Sequence, residues 1–208
     1  MTEVKRLFDF PYYQLENYPQ EGALVSKVNG TWVKTSTQQY IDQANAISRG
    51  LIKLGVKAND KVAIISMTNR TQWNICDIGI LQIGAQDVPI YPTISEKDYE
   101  YVLNHSESKY VFVSCKEVLD KINKIKANVP SLLGVYSFED IDGCDSWQEV
   151  ITLGNDNQDL QQEVQKRMDA VQEDDLATLI YTSGTTGRPK GVMPVSYTHL
   201  TLPTMVQV

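Results

Sequence analysis

The chain has 208 residues, which is long enough to bury one sizeable core. It is 42% hydrophobic, 22% charged and 9% aromatic, a composition that excludes a mainly disordered chain, a collagen-like repeat and a disulfide-stabilised miniprotein. The 26 acidic and 19 basic residues give a formal net charge of -7, so long-range repulsion disfavours non-specific binding to nucleic acid.

No segment approaches the roughly 18 consecutive apolar residues of a membrane span, and the first residues lack the pattern of a secretory signal. We therefore expect a cytoplasmic protein without a transmembrane segment. A peripheral membrane contact stays open, although no basic amphipathic helix supports it.

Cys76, Cys115 and Cys144 are widely spaced in the sequence. Because no CxxC pair is present, we interpret them as reduced structural cysteines.

The stretch up to about residue 33 is rich in aromatic and turn-forming residues. Residues 23–25 and 31–33 are predicted to form a short hairpin around Asn29-Gly30, a favoured pair for a tight turn. The aromatic side chains of this stretch are expected to pack against the main body.

From residue 35 onward, β-branched apolar runs alternate with segments whose apolar residues recur at helical spacing. Strands are predicted at 61–66, 87–91, 110–114, 132–138 and 176–181, and helices at about 37–54, 70–84, 95–104, 116–128, from 146 onward, and 158–171. Thr35, Ser36 or Thr37 is expected to cap the first of these helices. The alternation predicts βαβ units, and hence a layered α/β fold with a mostly parallel sheet and flanking helices.

The most informative segment directly follows the last predicted strand. It reads Thr182-Ser183-Gly184-Thr185-Thr186-Gly187-Arg188-Pro189-Lys190-Gly191. Glycines let backbone N–H groups point into a shared concavity, and such a nest with hydroxyl donors and an ammonium group suits phosphate oxygens. The carboxyl end of a strand is also where open α/β sheets bind ligands. A solvated glycine-rich turn is the alternative for a bare GTTG, but the full run favours a phosphate-binding loop. It is not a Walker A loop, which needs four residues between its glycines.

Residues 181–191 resemble the phosphate-binding signature of the AMP-forming (ANL) adenylating enzymes, YTSGTTGxPKG, and match it at every position. Residues 73–93, with their Val-Pro-Ile-Tyr-Pro-Thr string, are similar to the long-chain fatty acyl-CoA synthetase branch. The resemblance covers essentially the whole chain before its tail. It implies a partial N-terminal AMP-binding domain at residues 1–193, followed by an atypical tail at 194–208.

The resemblance implies a two-step ligase that uses ATP, magnesium and coenzyme A. A carboxylic acid, in this branch a long-chain fatty acid, would form an acyl-adenylate and then a CoA thioester. The β- and γ-phosphates of ATP would be held by loop residues, namely Thr182, Ser183, Gly184, Thr185, Thr186, Gly187 and Lys190. Magnesium would bridge the phosphates with the Thr185 hydroxyl as a candidate contact. No catalytic residue is assigned.

Enzymes of this family are much longer than 208 residues, so the resemblance also implies that later parts of the active site are absent and that this chain is inactive by itself. Other acid substrates, a carrier-protein acceptor in place of coenzyme A, and any oligomeric state stay open. Two further functions also stay open. One is a phosphate- or nucleotide-binding module without ligase activity, and the other is a non-catalytic partner in a split assembly.

Several other residues are interpreted as structural. His105 is taken as a surface or helix-capping residue because no acidic partner lies at motif spacing. Glu173-Asp174-Asp175 is taken as a solvated turn, with a metal cluster as the alternative. Core packing is the favoured interpretation of Trp73 and Tyr91, with a ligand cavity as the alternative. His199, in the atypical tail, is given no catalytic role.

Overall fold

The computed structural model of the chain describes residues 4–28, 30–182 and 189–196. Within these ranges the strands are β1 (Leu24–Val28), β2 (Thr31–Thr35), β3 (Lys61–Ile65), β4 (Gln86–Ile90), β5 (Tyr110–Val113), β6 (Gly134–Ser137), β7 (Asp145–Ser146), β8 (Ile180–Thr182) and β9 (Lys190–Val192). The α-helices are α1 (Asp9–Asn17), α2 (Thr37–Lys53), α3 (Thr71–Gln82), α4 (Glu96–Ser106), α5 (Lys116–Ile125), α6 (Trp147–Asp156) and α7 (Gln161–Ala170). Among the described residues, no α-helix combines the length and the apolar character that a membrane span requires.

Five strands form a parallel sheet in the order β4-β3-β5-β6-β7. Nearly all residues of β3 and β5 are buried, as expected for parallel strands covered by helices on both faces. The predicted hairpin is present as the antiparallel pair β1–β2, although Asn29 of its turn lies outside the described residues. The layered α/β fold with a mostly parallel sheet is therefore confirmed.

Helices cover the sheet as two layers, one on each face. Buried side chains of α2, α3, α6 and α7 share one apolar cluster with Val62 and Ile64 of β3. Buried side chains of α4 and α5 share the other cluster with Ala63 and Ile65 of the same strand. Successive residues of β3 thus point to opposite layers, which is the two-residue period of a strand.

Helix α2 crosses its neighbours so closely that glycine is required at the contacts. A Cβ atom added at Gly154 of α6 would lie 1.9 Å from the Ala46 carbonyl oxygen, and one added at Gly50 would lie 2.2 Å from the Val150 carbonyl oxygen. Arg49 reinforces this crossing, since its Nε donates a 2.8 Å hydrogen bond to the Gly154 carbonyl. The α2–α6 contact therefore joins two backbones directly, with no side chain between them.

Ser36 begins α2 with a complete capping box. Its hydroxyl accepts a hydrogen bond from the Gln39 N–H, and the Gln39 side chain accepts one from the Ser36 N–H. Of the three candidate caps, Thr35 ends β2, and Thr37 is buried with its hydroxyl accepting from the Gln20 N–H. Ser36 is the one that satisfies the free N–H groups of the first helical turn.

We expect Ser36→Ala to lower the free energy of unfolding by about 1 kcal/mol, because two N–H groups lose their partners. Chemical denaturation of the purified chain measures this change. Ser36→Asp is the matched rescue, since a carboxylate can accept the same hydrogen bond. Equal stability of the alanine and wild-type chains would show that the capping box contributes nothing.

Helix α1 was not predicted from the sequence. Pro11 falls in its first turn, where a missing N–H group costs no intrahelical hydrogen bond. The helix is held by tertiary contacts: Phe8 at its start is 1% exposed, and Arg6 Nη1 donates to the Val171 carbonyl at 3.2 Å. Asp9 accepts from the Arg6 N–H at 2.8 Å. The contact with Val171 joins residues 165 positions apart in the sequence, so the local pattern does not reveal it.

Candidate functional site

The described ends of the predicted phosphate loop meet in a hairpin. Strands β8 and β9 are antiparallel, with Thr182 directly opposite Lys190, and both residues are exposed. Side chains directly opposite each other on such a pair have Cβ atoms about 5 Å apart. A hydroxyl group and an ammonium group are thus brought together. The other predicted loop residues, Ser183, Gly184, Thr185, Thr186 and Gly187, lie outside the described residues.

The hairpin leaves the sheet at its carboxyl edge. Thr178 pairs with Asp87 of β4 in parallel orientation, and the Leu179 N–H donates a 3.0 Å hydrogen bond to the Asp87 carbonyl. The segment before β8 therefore extends the sheet beside β4, where the sequence predicted a strand at 176–181. Thr182 and Lys190 follow at the end of this extension, which is the edge where open α/β sheets bind ligands.

A cleft of about 630 Å³ opens beside the hairpin. Its walls come from the carboxyl ends of β3 and β4, from the start of α3 and from β8, and they include Ser66, Thr68, Asn69, Arg70, Trp73, Tyr91 and Ile180. This volume lies in the range of small-molecule sites, and the mixed polar and apolar lining is typical of them.

The cleft changes the interpretation of two aromatic residues. Tyr91 lines the cleft and is 69% exposed, so its interpretation as a core residue is wrong. Trp73 lines the cleft as well, while also packing against the apolar cluster of α2 and α3. Tyr91 comes directly after β4 and is followed by Pro92, so it stands at the strand end where the sheet meets solvent.

Arg70 places a guanidinium group at the cleft. It forms an ion pair with Glu139 through Nη2, and its Nε is buried without a hydrogen-bond partner among the described residues. At the start of α3, the Arg70 guanidinium group therefore has one nitrogen paired with the Glu139 carboxylate and one N–H donor available. No local sequence signal points to this arginine, because its partner lies 69 residues away.

Tyr181, the first residue of the signature, is anchored from α4. Its hydroxyl group lies 2.7 Å from His105 Nδ1, and the two rings meet edge to face with centroids 5.7 Å apart. Burial raises the pKa of Tyr181 to about 12, so the hydroxyl keeps its proton near neutral pH. His105 is exposed, as a surface residue should be, but it also has a specific partner that the sequence did not suggest.

Two acidic side chains meet where α3 packs on β4. Asp77 and Asp87 are hydrogen-bonded to each other, and Asp87 is 2% exposed. Burial raises the pKa of Asp87 to about 6. Burial, and then the charge of Asp87, raise the pKa of Asp77 well above its ordinary value. At least one proton is therefore shared between the two carboxyl groups at mildly acidic pH.

The described residues contain no group of three His, Cys, Asp or Glu side chains that could hold a metal ion. The segment Glu173-Asp174-Asp175 is an exposed turn, in which the Asp175 carboxylate accepts a 2.8 Å hydrogen bond from the Gln172 N–H. The interpretation as a solvated turn is confirmed. Thr185, the candidate magnesium contact, and His199 both lie outside the described residues.

The family profile described as "AMP-binding enzyme" matches residues 12–205. The chain belongs to the AMP-binding enzyme family. The match extends past residue 193, the predicted end of the family domain. That boundary stays a prediction, because residues 197–208 lie outside the described residues.

Curated relatives within the AMP-binding family include long-chain-fatty-acid–CoA ligases. The chain is 33% identical over 192 residues to ACSBG2 of Xenopus laevis, covering 90% of this chain and 25% of that protein. It is 37% identical over 164 residues to FadD15 of Mycobacterium bovis, covering 79% of this chain and 27% of that protein. The chain thus spans about a quarter of the length of these relatives.

Solved structures of AMP-binding relatives show the same fold. The anthranilate CoA ligase AuaEII, in complex with anthranoyl-AMP, matches with a TM-score of 0.70 at 22% identity, over 92% of this chain and 35% of that chain. A putative long-chain-fatty-acid CoA ligase of Rhodopseudomonas palustris matches with a TM-score of 0.73 at 19% identity, over 92% of this chain and 44% of that chain.

Proposed function

We propose that the chain is part of an AMP-forming ligase that converts a carboxylic acid, with a long-chain fatty acid as the favoured substrate, into its CoA thioester. The observation that carries this proposal is the pairing of Thr182 with Lys190 at the carboxyl edge of the sheet. The family match and the names of the curated relatives support it. The cleft beside the hairpin provides room for a small-molecule substrate.

In this proposal Thr182 and Lys190 bind the β- and γ-phosphates of ATP, together with Ser183, Gly184, Thr185, Thr186 and Gly187. The Lys190 ammonium group offers charge-assisted hydrogen bonds to phosphate oxygens. Its charge also stabilises the pyrophosphate that leaves when a carboxylate oxygen attacks the α-phosphorus of ATP. The thiol of coenzyme A then displaces AMP from the acyl-adenylate and forms the thioester.

Magnesium fits this site as a companion of the nucleotide. The described part of the chain supplies hydroxyl groups at the hairpin but no carboxylate cluster, and magnesium commonly binds through substrate phosphates and water with few protein ligands. When bound, it neutralises charge on the phosphates. We propose the Thr185 hydroxyl as its contact from this chain.

We also expect that the 208-residue chain forms no acyl-CoA by itself, because it spans about a quarter of the length of its curated relatives. Incubation of the purified chain with ATP, magnesium, coenzyme A and palmitate, followed by chromatography for the thioester, tests this. Thioester above the enzyme-free control would contradict the expectation. The cytoplasmic location likewise stays a prediction.

We expect Lys190→Ala to weaken binding of magnesium-ATP to the chain by about tenfold or more, because a hydrogen bond to a charged group contributes roughly 1.5–3 kcal/mol. Isothermal titration calorimetry on wild-type and variant chains measures the change. Lys53→Ala is the matched control, since Lys53 is an exposed lysine at the end of α2 and its loss should leave the affinity unchanged. Equal affinities of the wild-type and Lys190→Ala chains would show that Lys190 does not bind the nucleotide.

A phosphate-binding module without ligase activity predicts the same ATP binding. The two functions differ in a chain extended by its downstream coding sequence. We expect that version to release pyrophosphate in a manner dependent on fatty acid. The absence of pyrophosphate release with every carboxylic acid tested would favour the module.

A further inference from the structure

His105 joins two parts of the chain that are 76 residues apart. It lies in the last turn of α4, and its Nδ1 is 2.7 Å from the hydroxyl oxygen of Tyr181. The Tyr101 ring also contacts His105, with its centroid 5.5 Å from that of the imidazole. The imidazole therefore contacts two tyrosine rings, and its Nδ1 is hydrogen-bonded to the first residue of the signature.

Tyr181 in turn adjoins Thr182 and Lys190, the pair that is proposed to bind phosphate. It lies directly opposite Gly191, and Thr182 lies opposite Lys190 one position farther along the hairpin. The Tyr181 ring also covers Gly191, because a Cβ atom added there would lie 3.4 Å from the ring. Tyr181 is 8% exposed and belongs to the apolar cluster of α4 and α5. The hairpin is thus attached to the body of the domain at the residue pair adjoining Thr182 and Lys190.

We propose that His105 is a positioning residue: by holding the Tyr181 hydroxyl, it fixes the hairpin at the point where Thr182 and Lys190 bind the phosphates of ATP. This inference rests on the proposed function, because that function supplies the phosphate ligand. The contact between His105 and Tyr181 is independent of it. His105 touches no substrate in this arrangement and acts only through Tyr181. Elsewhere the short hairpin β8–β9 is supported by Pro194, whose carbonyl accepts a 3.1 Å hydrogen bond from the Ala177 N–H.

The geometry defines which substitutions keep the contact. The amide of asparagine can place a polar atom near the position of Nδ1, and it can either donate or accept, so His105→Asn suits both tautomers of the native contact. His105→Leu keeps comparable bulk but has no polar atom. Tyr181→Phe keeps the ring and removes only the hydroxyl. The three variants separate the hydrogen bond from the packing of the rings.

The first experiment uses the ligand-free chain and measures amide hydrogen exchange at Thr182, Lys190 and Val192 by NMR. We expect exchange to become about fivefold faster in His105→Leu and in Tyr181→Phe, because the loss of one hydrogen bond permits local opening of the hairpin. His105→Asn should exchange at nearly the wild-type rate. Amides of β3, which lies in the centre of the sheet, should be unaffected and thereby report that the fold is intact.

The second experiment measures binding of inorganic tripolyphosphate with magnesium by calorimetry. We expect His105→Leu to weaken binding about fivefold and His105→Asn to restore it. In the Tyr181→Phe background, His105→Leu should cause no further loss, because the two residues act through one contact. Additive losses in the double variant would show that His105 acts by another route, which would overturn the proposal.

The two experiments distinguish a failure of this inference from a failure of the proposed function. If the wild-type chain binds neither tripolyphosphate nor magnesium-ATP, the proposed function fails, while the exchange data still decide whether His105 fixes the hairpin. Unchanged exchange at all three hairpin amides in His105→Leu and Tyr181→Phe would overturn the inference whatever the chain binds.

Discussion

Replacing Gly154 with alanine is expected to destabilise the chain by about 3 kcal/mol or more. For a domain of this size the melting temperature should fall by roughly 6–12 °C. One methyl group causes this loss because the new Cβ atom would lie 1.9 Å from the Ala46 carbonyl oxygen. The nearest atom is backbone, so relief requires α2 and α6 to move apart.

Helix propensity predicts the opposite sign for this substitution. Glycine inside a helix is about 1 kcal/mol less favourable than alanine, so a Gly154→Ala chain would be more stable if α6 were free of neighbours. Separating the helices would also stretch the hydrogen bond from Arg49 Nε to the Gly154 carbonyl, now 2.8 Å long. The close contact with the Ala46 carbonyl and the stretched Arg49 hydrogen bond both oppose the preference of a helix for alanine, and together they outweigh it.

Thermal and chemical denaturation of Gly154→Ala, compared with Thr152→Ala, test this expectation. Thr152 is exposed on the same helix, so its replacement reports propensity alone and should raise stability by a few tenths of a kcal/mol. A Gly154→Ala chain at least as stable as the wild type would show that α2 and α6 do not cross as closely as described.

Replacing Asp77 with asparagine is expected to stabilise the chain at pH 8 by about 2 kcal/mol, because a neutral amide needs neither the proton uptake nor the buried charge that the raised pKa of Asp77 imposes on the folded wild-type chain. An asparagine amide can also donate a hydrogen bond to the Asp87 carboxylate. The other titratable groups packed here carry no charge at this pH, since burial raises the pKa of the Tyr40 hydroxyl and of the Cys76 thiol.

The direction of the pH dependence follows from the raised pKa values of both carboxyl groups. Between the unfolded pKa near 4 and the folded pKa of Asp87 at about 6, the folded chain holds more protons than the unfolded chain. Its stability therefore falls as pH rises through this interval. The raised pKa of Asp77 extends the loss to higher pH. In Asp77→Asn the free energy of unfolding should depend much less on pH. Near pH 4 the variant should be little more stable than the wild type.

Urea denaturation of both chains at pH 4, 6 and 8 measures the two slopes. Asp142→Asn is the control for a general change in net charge, since Asp142 is exposed in a loop, and it should shift stability by less than about 0.5 kcal/mol at every pH. Parallel pH profiles for the wild type and Asp77→Asn would contradict a shared proton between Asp77 and Asp87.

Several features of this protein were determined by its sequence alone. The alternation of β-branched runs with helical periodicity predicted the parallel sheet and its flanking helices, because each pattern is complete within one segment. The cap at Ser36 was predicted among three candidates for the same reason. The signature from Tyr181 to Gly191 indicated the family, and the profile match confirmed it.

How these elements meet depends on contacts between residues that lie far apart in the sequence. The contact of His105 with Tyr181, the shared proton of Asp77 and Asp87, and the backbone crossing at Gly154 each join residues on different elements. Tyr91 likewise looks apolar in sequence but stands exposed at the cleft. The local periodicity of a segment shows which of its faces is buried. It does not show which other element packs against that face, because this depends on the path of the whole chain and not on any single segment.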